Sequence, residues 1–278
     1  MISLESITVK ELVKQALIED IGPGDLTSDS LIDPEQQITA TYNTREEGII
    51  AGLPLLKTIF AELDPQVQIE TYVKDGNRIA FGQKIAQING NTRAILKGER
   101  LSLNFLQRMS AIATLTAKYQ QAIHPYKAKV CATRKTCPNF RVFEKYSVII
   151  GGGSPHRFGL YDGVMIKDNH ISAKGSIKKA VAEARKKIPH TATIEVETET
   201  IVQVQEALDA GADIIMLDNM SVETMKEAVK LINNRAIIEA SGTVNLENIN
   251  QIASTGVDYI STSAITAKAG ILDIGLDI

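Results

Sequence analysis

Between residues 129 and 262 six short, almost wholly apolar runs alternate with amphipathic segments. The runs are KVCAT (129–133), VMIKD (164–168), TIEVE (193–197), DIIML (213–217), AIIEA (236–240) and DYIST (258–262). Each is too short for a helix and rich in residues that favour strands. The last four gaps hold helical patterns: SIKKAVAEARKKI (176–188), VQVQEALDAG (202–211), VETMKEAVKLI (222–232) and LENINQIAST (246–255). A strand apolar on both faces must be covered on both faces. The alternation therefore predicts βαβ units and a parallel sheet wrapped in helices. No G-x-G-x-x-G follows the first strand, so a barrel is favoured over an open dinucleotide-binding sheet.

The first part of the chain follows another plan. Thr8-Val-Lys-Glu11 has the spacing of a capping box and predicts a helix to about Glu19. ITATYNTR (38–45), IIAG (49–52), VQIETYV (67–73) and RIAFGQKIAQI (78–88) read as strands, and LPLLKTIFAEL (53–63) as a helix. A long helix is predicted from Thr92 to Ile123, ended by His124-Pro125. The chain thus divides into an N-terminal α+β domain with its connecting helix, 1–115, and an α/β barrel domain, 116–278. The closing ILDIGLDI (271–278) alternates apolar and polar residues and is expected to return to the first domain as an edge strand.

Composition excludes several functions. With 278 residues, 44% of them hydrophobic, the chain has ample material for a core. Its net charge is −3 and its charged residues are evenly spread, so no basic stripe points to nucleic acid. No apolar stretch approaches a membrane span. MISLESITVKE lacks the pattern of a secretory signal. Cys131 and Cys137 fit neither zinc nor redox spacing. A cytoplasmic protein, bound to neither membrane nor nucleic acid, is expected.

The polar residues concentrate where the apolar runs stop. The first two ends, with the loop GGGSPHRFGLYDGVMIKDNH (151–170), bring Arg134, Lys135, His156, Arg157, Lys167 and His170. The next two bring Glu197 and Asp218. The last two bring Ser241-Gly242-Thr243 and Thr262-Ser263. In a barrel all carboxyl ends open on one mouth, where active sites of this architecture lie. A cationic cluster suits carboxylates and phosphates, with arginine gripping them bidentately. Paired acids suit Mg²⁺ or a positive charge that develops during reaction. Small hydroxyl and glycine turns leading into helices suit a phosphate. The implied ligands are a small polyanion and a phosphorylated sugar, with Mg²⁺.

Longer motifs carry a resemblance. EDIGPGDLTS (19–28), GERLSLNFLQRMSAIAT (98–114), TRKTCPNFRVFEKYSVIIGGG (133–153), HRFGLYDGVMIKDNH (156–170), IEVE (194–197), DIIMLDNM (213–220), EASG (239–242) and GVDYIS (256–261) resemble the quinolinate phosphoribosyltransferase family nearly end to end. The resemblance implies an open, TIM-like α/β barrel beside an N-terminal α+β domain. It implies that quinolinate and 5-phosphoribosyl-1-pyrophosphate become nicotinate mononucleotide, pyrophosphate and CO₂ in de novo NAD biosynthesis. Arg134, Lys135, His156, Arg157 and Lys167 would surround quinolinate's carboxylates and neighbouring phosphates. Glu197 and Asp218 would attend the ribose and Mg²⁺. Lys135 and Lys167 would stabilise the carbanion left when CO₂ departs. Ser241, Gly242, Thr243, Thr262 and Ser263 would hold the 5-phosphate. Arg100 would reach into the site of a second subunit, which implies a homodimer at least.

The chain departs from the family pattern at Ser154-Pro155, Thr243, Ser263 and Ala267. The spelling Pro-His-Arg is also that of ModD-like proteins of molybdenum transport operons, which share the fold. A non-catalytic barrel that senses the same anions is the alternative of a different class.

Overall fold

The computed structural model describes residues 2–278. The elements begin with α1 (Ile7–Ile21), α2 (Leu26–Leu31), β1 (Gln37–Thr44), β2 (Gly48–Ile49) and α3 (Leu53–Leu63). Then come β3 (Gln68–Thr71), β4 (Arg78–Ile79), β5 (Lys84–Asn91) and α4 (Thr92–Ala122). The chain continues through β6 (Lys129–Cys131), α5 (Arg141–Ile150), β7 (Val164–Ile166), α6 (Asp168–Lys174), α7 (Ile177–Arg185), β8 (Ile194–Thr198) and α8 (Ile201–Asp209). It ends with β9 (Ile214–Asp218), α9 (Val222–Ile232), β10 (Ile237–Ser241), α10 (Ile249–Ala253), β11 (Tyr259–Ser261), α11 (Ala264–Ala267) and β12 (Ile274–Asp277). No described helix is long and apolar enough to cross a membrane.

The chain forms two compact units: residues 2–117 with 137–151 and 268–278, and residues 118–136 with 152–267. The first holds an antiparallel sheet in the order β12-β1-β5-β3. The closing strand pairs with β1, Ile274 opposite Thr44. Tyr42 of β1 is fully buried, and its hydroxyl meets Ser102 Oγ of α4 at 2.7 Å. The first helix starts earlier than the Thr8 capping box predicts. Ser6 is its N-cap, accepting from Val9 N–H, because Ser6 places Val9, Val13 and Leu17 on the buried face.

The expected division at 115/116 leaves out one excursion. Residues 137–151, including α5, belong to the first unit. Phe140 stacks on Phe105 of α4 and Phe143 meets it edge-on, ring centroids 5.4 and 4.8 Å apart. Glu144 and Lys145 are completely buried there, Glu144 paired with Arg108 at 3.4 Å. Gly151 ends α5 where any side chain would run into α4, since a Cβ would stand 2.7 Å from Thr116 Cβ. That close approach, with Gly152 at φ 88, accounts for part of the Gly151–Gly153 run.

The second unit is the α/β body. Its six strands are all parallel, in the order β6-β11-β10-β9-β8-β7. Strands β6 and β7 are consecutive in the chain yet occupy opposite edges, so the barrel is open between them. The segment that joins them sends its helix, α5, into the first unit. Helices α7, α8 and α9 follow their loops with side-chain caps from Ser176, Thr200 and Ser221. These caps satisfy free N–H groups at each helix start and fix where each strand-to-helix turn ends.

Candidate active site

A cavity of about 610 Å³ opens at the carboxyl ends of the six parallel strands. Beyond β6 it is lined by Thr133, Arg134 and Lys135. The next contributors are His156 and Arg157 from the 154–163 loop, then Met165 and Lys167 at the end of β7. Glu197 of β8, and Met216, Asp218 and Asn219 of β9 and its turn, complete the next stretch. Glu239, Ser241, Gly242 and Thr243 come from β10 and its turn, and Ser261, Thr262 and Ser263 from β11. All the residues singled out for the site meet here except two; one is Arg100, which is exposed on α4 in the first unit and does not line this cavity. His170 also stays out. Its Nδ1 accepts from Lys167 N–H at 3.0 Å, capping α6.

The loop carrying His156 is tied along the open edge of the sheet. Ser154 N–H donates to Val130 O at 2.8 Å, and Ala132 N–H donates to Ser154 O at 2.9 Å. The loop thus acts as a short extra partner for β6 and brings His156 over the end of the barrel. His156 has φ 53, a left-handed conformation that costs a non-glycine residue energy. Further on, Asp162 accepts from the N–H groups of Phe158 and Gly159 and rounds off the loop.

Charges in the cavity are arranged in pairs. Lys167 Nζ makes a close ion pair with Glu197 Oε2 across neighbouring strands. His156 Nε2 lies 3.5 Å from Glu195 Oε2 and 3.4 Å from Glu239 Oε1. Both glutamates are buried, each 4% exposed. Burial alone would lower the imidazole pKa. The close contact and negative charge of the two glutamates outweigh it and push the pKa up to about 9. Burial lifts Glu195, the hydrogen bond with His156 opposes this, and the Glu239 charge adds to the rise. Burial also lowers Arg157, reinforced by the positive charge of Arg134. A pocket that crowds Arg134, Lys135, Arg157 and Lys167 together is costly when empty and suits a ligand with several negative charges.

The part of the wall after β10 and β11 is built from turns. Gly242 has φ 122, and a Cβ there would stand 3.0 Å from Asn219 Cγ and 3.1 Å from Asn219 Cα. Only glycine meets both conditions. Ser263 and Thr243 do not need φ > 0, so these departures from the family pattern leave their backbone N–H groups free of that strain. The helices beyond are short: α10 has five residues and begins at Ile249, and α11 has four. The phosphate-binding capacity expected of these turns therefore rests on backbone N–H groups and hydroxyls rather than on a long helix dipole. Gly242→Ala is expected to lower stability by about 1–3 kcal/mol. It should also raise the KM for a phosphorylated substrate by about tenfold or more. Thermal melts and initial rates check both.

Several residues around the site receive no role from the sequence alone. Asn219 has φ 52, and its Nδ2 donates to Asp218 Oδ2 at 2.8 Å while its N–H donates to Ser241 O at 3.1 Å. It holds Asp218 and the β10 turn together. Its signal was the Asn directly after a strand, a residue tolerant of the left-handed region. Glu195 and Glu239 sit inside apolar runs, and alternation alone does not say which way they point. Met165 and Met216 carry no polar signal at all.

The chain is similar to proteins of one family throughout. "Quinolinate phosphoribosyl transferase, C-terminal domain" matches residues 112–277, and the N-terminal domain of the same name matches residues 25–110. It is 44% identical over 275 residues to the probable nicotinate-nucleotide pyrophosphorylase [carboxylating] of Bacillus subtilis, covering 99% of this chain and 95% of that protein. It is 45% identical to quinolinate phosphoribosyltransferase [decarboxylating] 2b of Nicotiana tabacum, covering 97% of this chain and 82% of that protein. The crystal structure of NadC from Streptococcus pyogenes superposes with a TM-score of 0.95 at 40% identity, over 99% of this chain and 98% of that one.

Proposed function

The chain belongs to the quinolinate phosphoribosyltransferase family, and from that premise we propose how its strand ends share the work of a two-substrate reaction. The reaction joins quinolinate to 5-phosphoribosyl-1-pyrophosphate and yields nicotinate mononucleotide, pyrophosphate and CO₂ in NAD biosynthesis. The observation that carries the assignment of roles is the division of one cavity. Cations from the ends of β6 and β7 and the loop between them line it together with Glu197 and Asp218 and with the hydroxyl and glycine turns after β10 and β11.

Arg134, Arg157 and Lys167 bind quinolinate's carboxylates, and Ser241, Gly242, Thr243, Thr262 and Ser263 take the 5-phosphate. The pyridine nitrogen then attacks the anomeric carbon. The N–C bond forms as the C–O bond to pyrophosphate breaks. Glu197 and Asp218 stabilise the positive charge that develops on the ribose. The new ring cation draws electrons from the neighbouring carboxylate. That C–C bond breaks, CO₂ leaves, and the electron pair stays on the ring carbon beside N⁺. Lys135 and Lys167 stabilise this carbanion, and a lysine or water supplies the proton.

Glu197 and Asp218 also fit Mg²⁺. They offer hard carboxylate oxygens from adjacent strands, the donors Mg²⁺ accepts alongside phosphate oxygens and water. Bound there, Mg²⁺ would offset the charge of the pyrophosphate. Arg100 is assigned to the cavity of a second copy in a homodimer, in keeping with its exposure on α4.

The test is direct. Protein incubated with Mg²⁺, quinolinate and 5-phosphoribosyl-1-pyrophosphate is expected to release nicotinate mononucleotide and CO₂ together. Nicotinate in place of quinolinate is expected to give no product. Turnover of nicotinate at a comparable rate would contradict the role given to the second carboxylate. Binding of both substrates with no product would support the anion-sensing alternative.

A further inference from the structure

His156 has no ring nitrogen turned freely to the cavity. Nε2 faces Glu195 and Glu239, and Nδ1 lies 2.6 Å from the amide nitrogen of Arg157. While Nδ1 accepts from that amide, the ring proton sits on Nε2, toward the carboxylates. The ring stands between two cavities: the 610 Å³ mouth and a smaller one of about 240 Å³ behind it, which Glu195 and Glu239 also line. Its side chain is 11% exposed and those of the glutamates 5%.

Arg157 is the next residue. Its Nη1 donates to Gly163 O at 2.9 Å, Nη2 meets Met165 Sδ at 3.6 Å, and its buried Nε has no partner. Its guanidinium feels the charges of Arg134, Glu195 and Asp162. A left-handed residue directly before a part-buried arginine persists only where its surroundings hold it. Here the side-chain anchor of His156 is the pair of glutamates on β8 and β10. We propose that Glu195 and Glu239 are positioning residues for quinolinate binding: by gripping His156 at Nε2 they fix the 154–157 turn and hold Arg157 at the cavity wall. The same three side chains present ligand atoms within 4.8 Å of one another, a spacing that a metal ion also accepts. The imidazole proton and the neighbouring guanidinium already provide positive partners, which favours the anchor.

The proposal rests on the reading of Arg157 as a quinolinate ligand, and its test separates the two. Glu239→Ala is expected to raise the quinolinate KM about tenfold, with kcat and the KM for 5-phosphoribosyl-1-pyrophosphate within about threefold of the parent. Glu239→Gln, which keeps an oxygen facing Nε2, is expected to stay within about threefold throughout. In an Arg157→Ala background Glu239→Ala should shift the quinolinate KM by less than about twofold, because its effect passes through Arg157. A full tenfold effect in that background, or none in the parent, overturns the proposal.

Nitrogen-15 spectra of the ring in the native enzyme decide the anchor even where a variant does not fold. They should show Nε2 protonated both free and with quinolinate. A deprotonated Nε2 in the free enzyme would overturn it. If the native enzyme makes no nicotinate mononucleotide, the reading of the function fails while these spectra still decide the anchor.

Discussion

Arg157→Ala is expected to raise the quinolinate KM by about 100-fold, with the KM for 5-phosphoribosyl-1-pyrophosphate changed far less. A charge-assisted hydrogen bond to a carboxylate is worth about 1.5–3 kcal/mol, roughly a factor of 10–150 in affinity. Arg157 is part-buried, so water replaces it poorly. Its removal also leaves Arg134 and Lys135 to face quinolinate from one side only. Arg157→Lys is expected to recover little, since an ammonium cannot reproduce the planar fork of a guanidinium. Initial rates over a range of quinolinate concentrations decide the matter. A variant with the parent's kcat/KM would remove Arg157 from the clamp.

Glu197→Ala is expected to slow a single turnover by about 10²–10³-fold, the usual loss when a preorganised group facing developing charge is removed. Quinolinate binding should survive and tighten. Glu197 is the ion-pair partner of Lys167, and deleting it frees that ammonium for a carboxylate of the substrate. The two effects run in opposite directions, which distinguishes this variant from a general loss of structure. Rapid-quench measurement of nicotinate mononucleotide, alongside equilibrium titration with quinolinate, reads both. An unchanged single-turnover rate would take Glu197 out of the chemistry.

The two variants test different parts of the cavity, and its parts were unequally legible. Arg134, Lys135, Lys167, Glu197 and Asp218 stand at or just past the ends of apolar strands, and Arg157 lies in the loop between the first two. A barrel sends such ends to one place, so their convergence follows from the pattern. Glu195 and Glu239 were opaque because a buried carboxylate inside an apolar run becomes meaningful only once its partner is known. His156 supplies that partner from a different loop. Asn219 and Gly242 belong together for a similar reason: the glycine is required by a side chain on the neighbouring turn. The helix at 141–150 was missed as a member of the first unit, since nothing local says which core will receive Phe140 and Phe143.

What the amino-acid order determines by itself is local and periodic. It specifies six strands covered on both faces, the helices between them, the caps where those helices begin, and the chemical groups delivered to the strand ends. These follow from the 2.0 and 3.6 residue repeats and from side-chain hydrogen bonds that span three or four positions. The tertiary structure alone decided that β6 and β7 lie at opposite edges, that Lys167 meets Glu197, and that His156 turns inward to two glutamates. Those outcomes depend on which distant segments pack together. Contacts across β6, β8 and β10 join residues dozens of positions apart, and no repeat along the chain encodes their distance or direction.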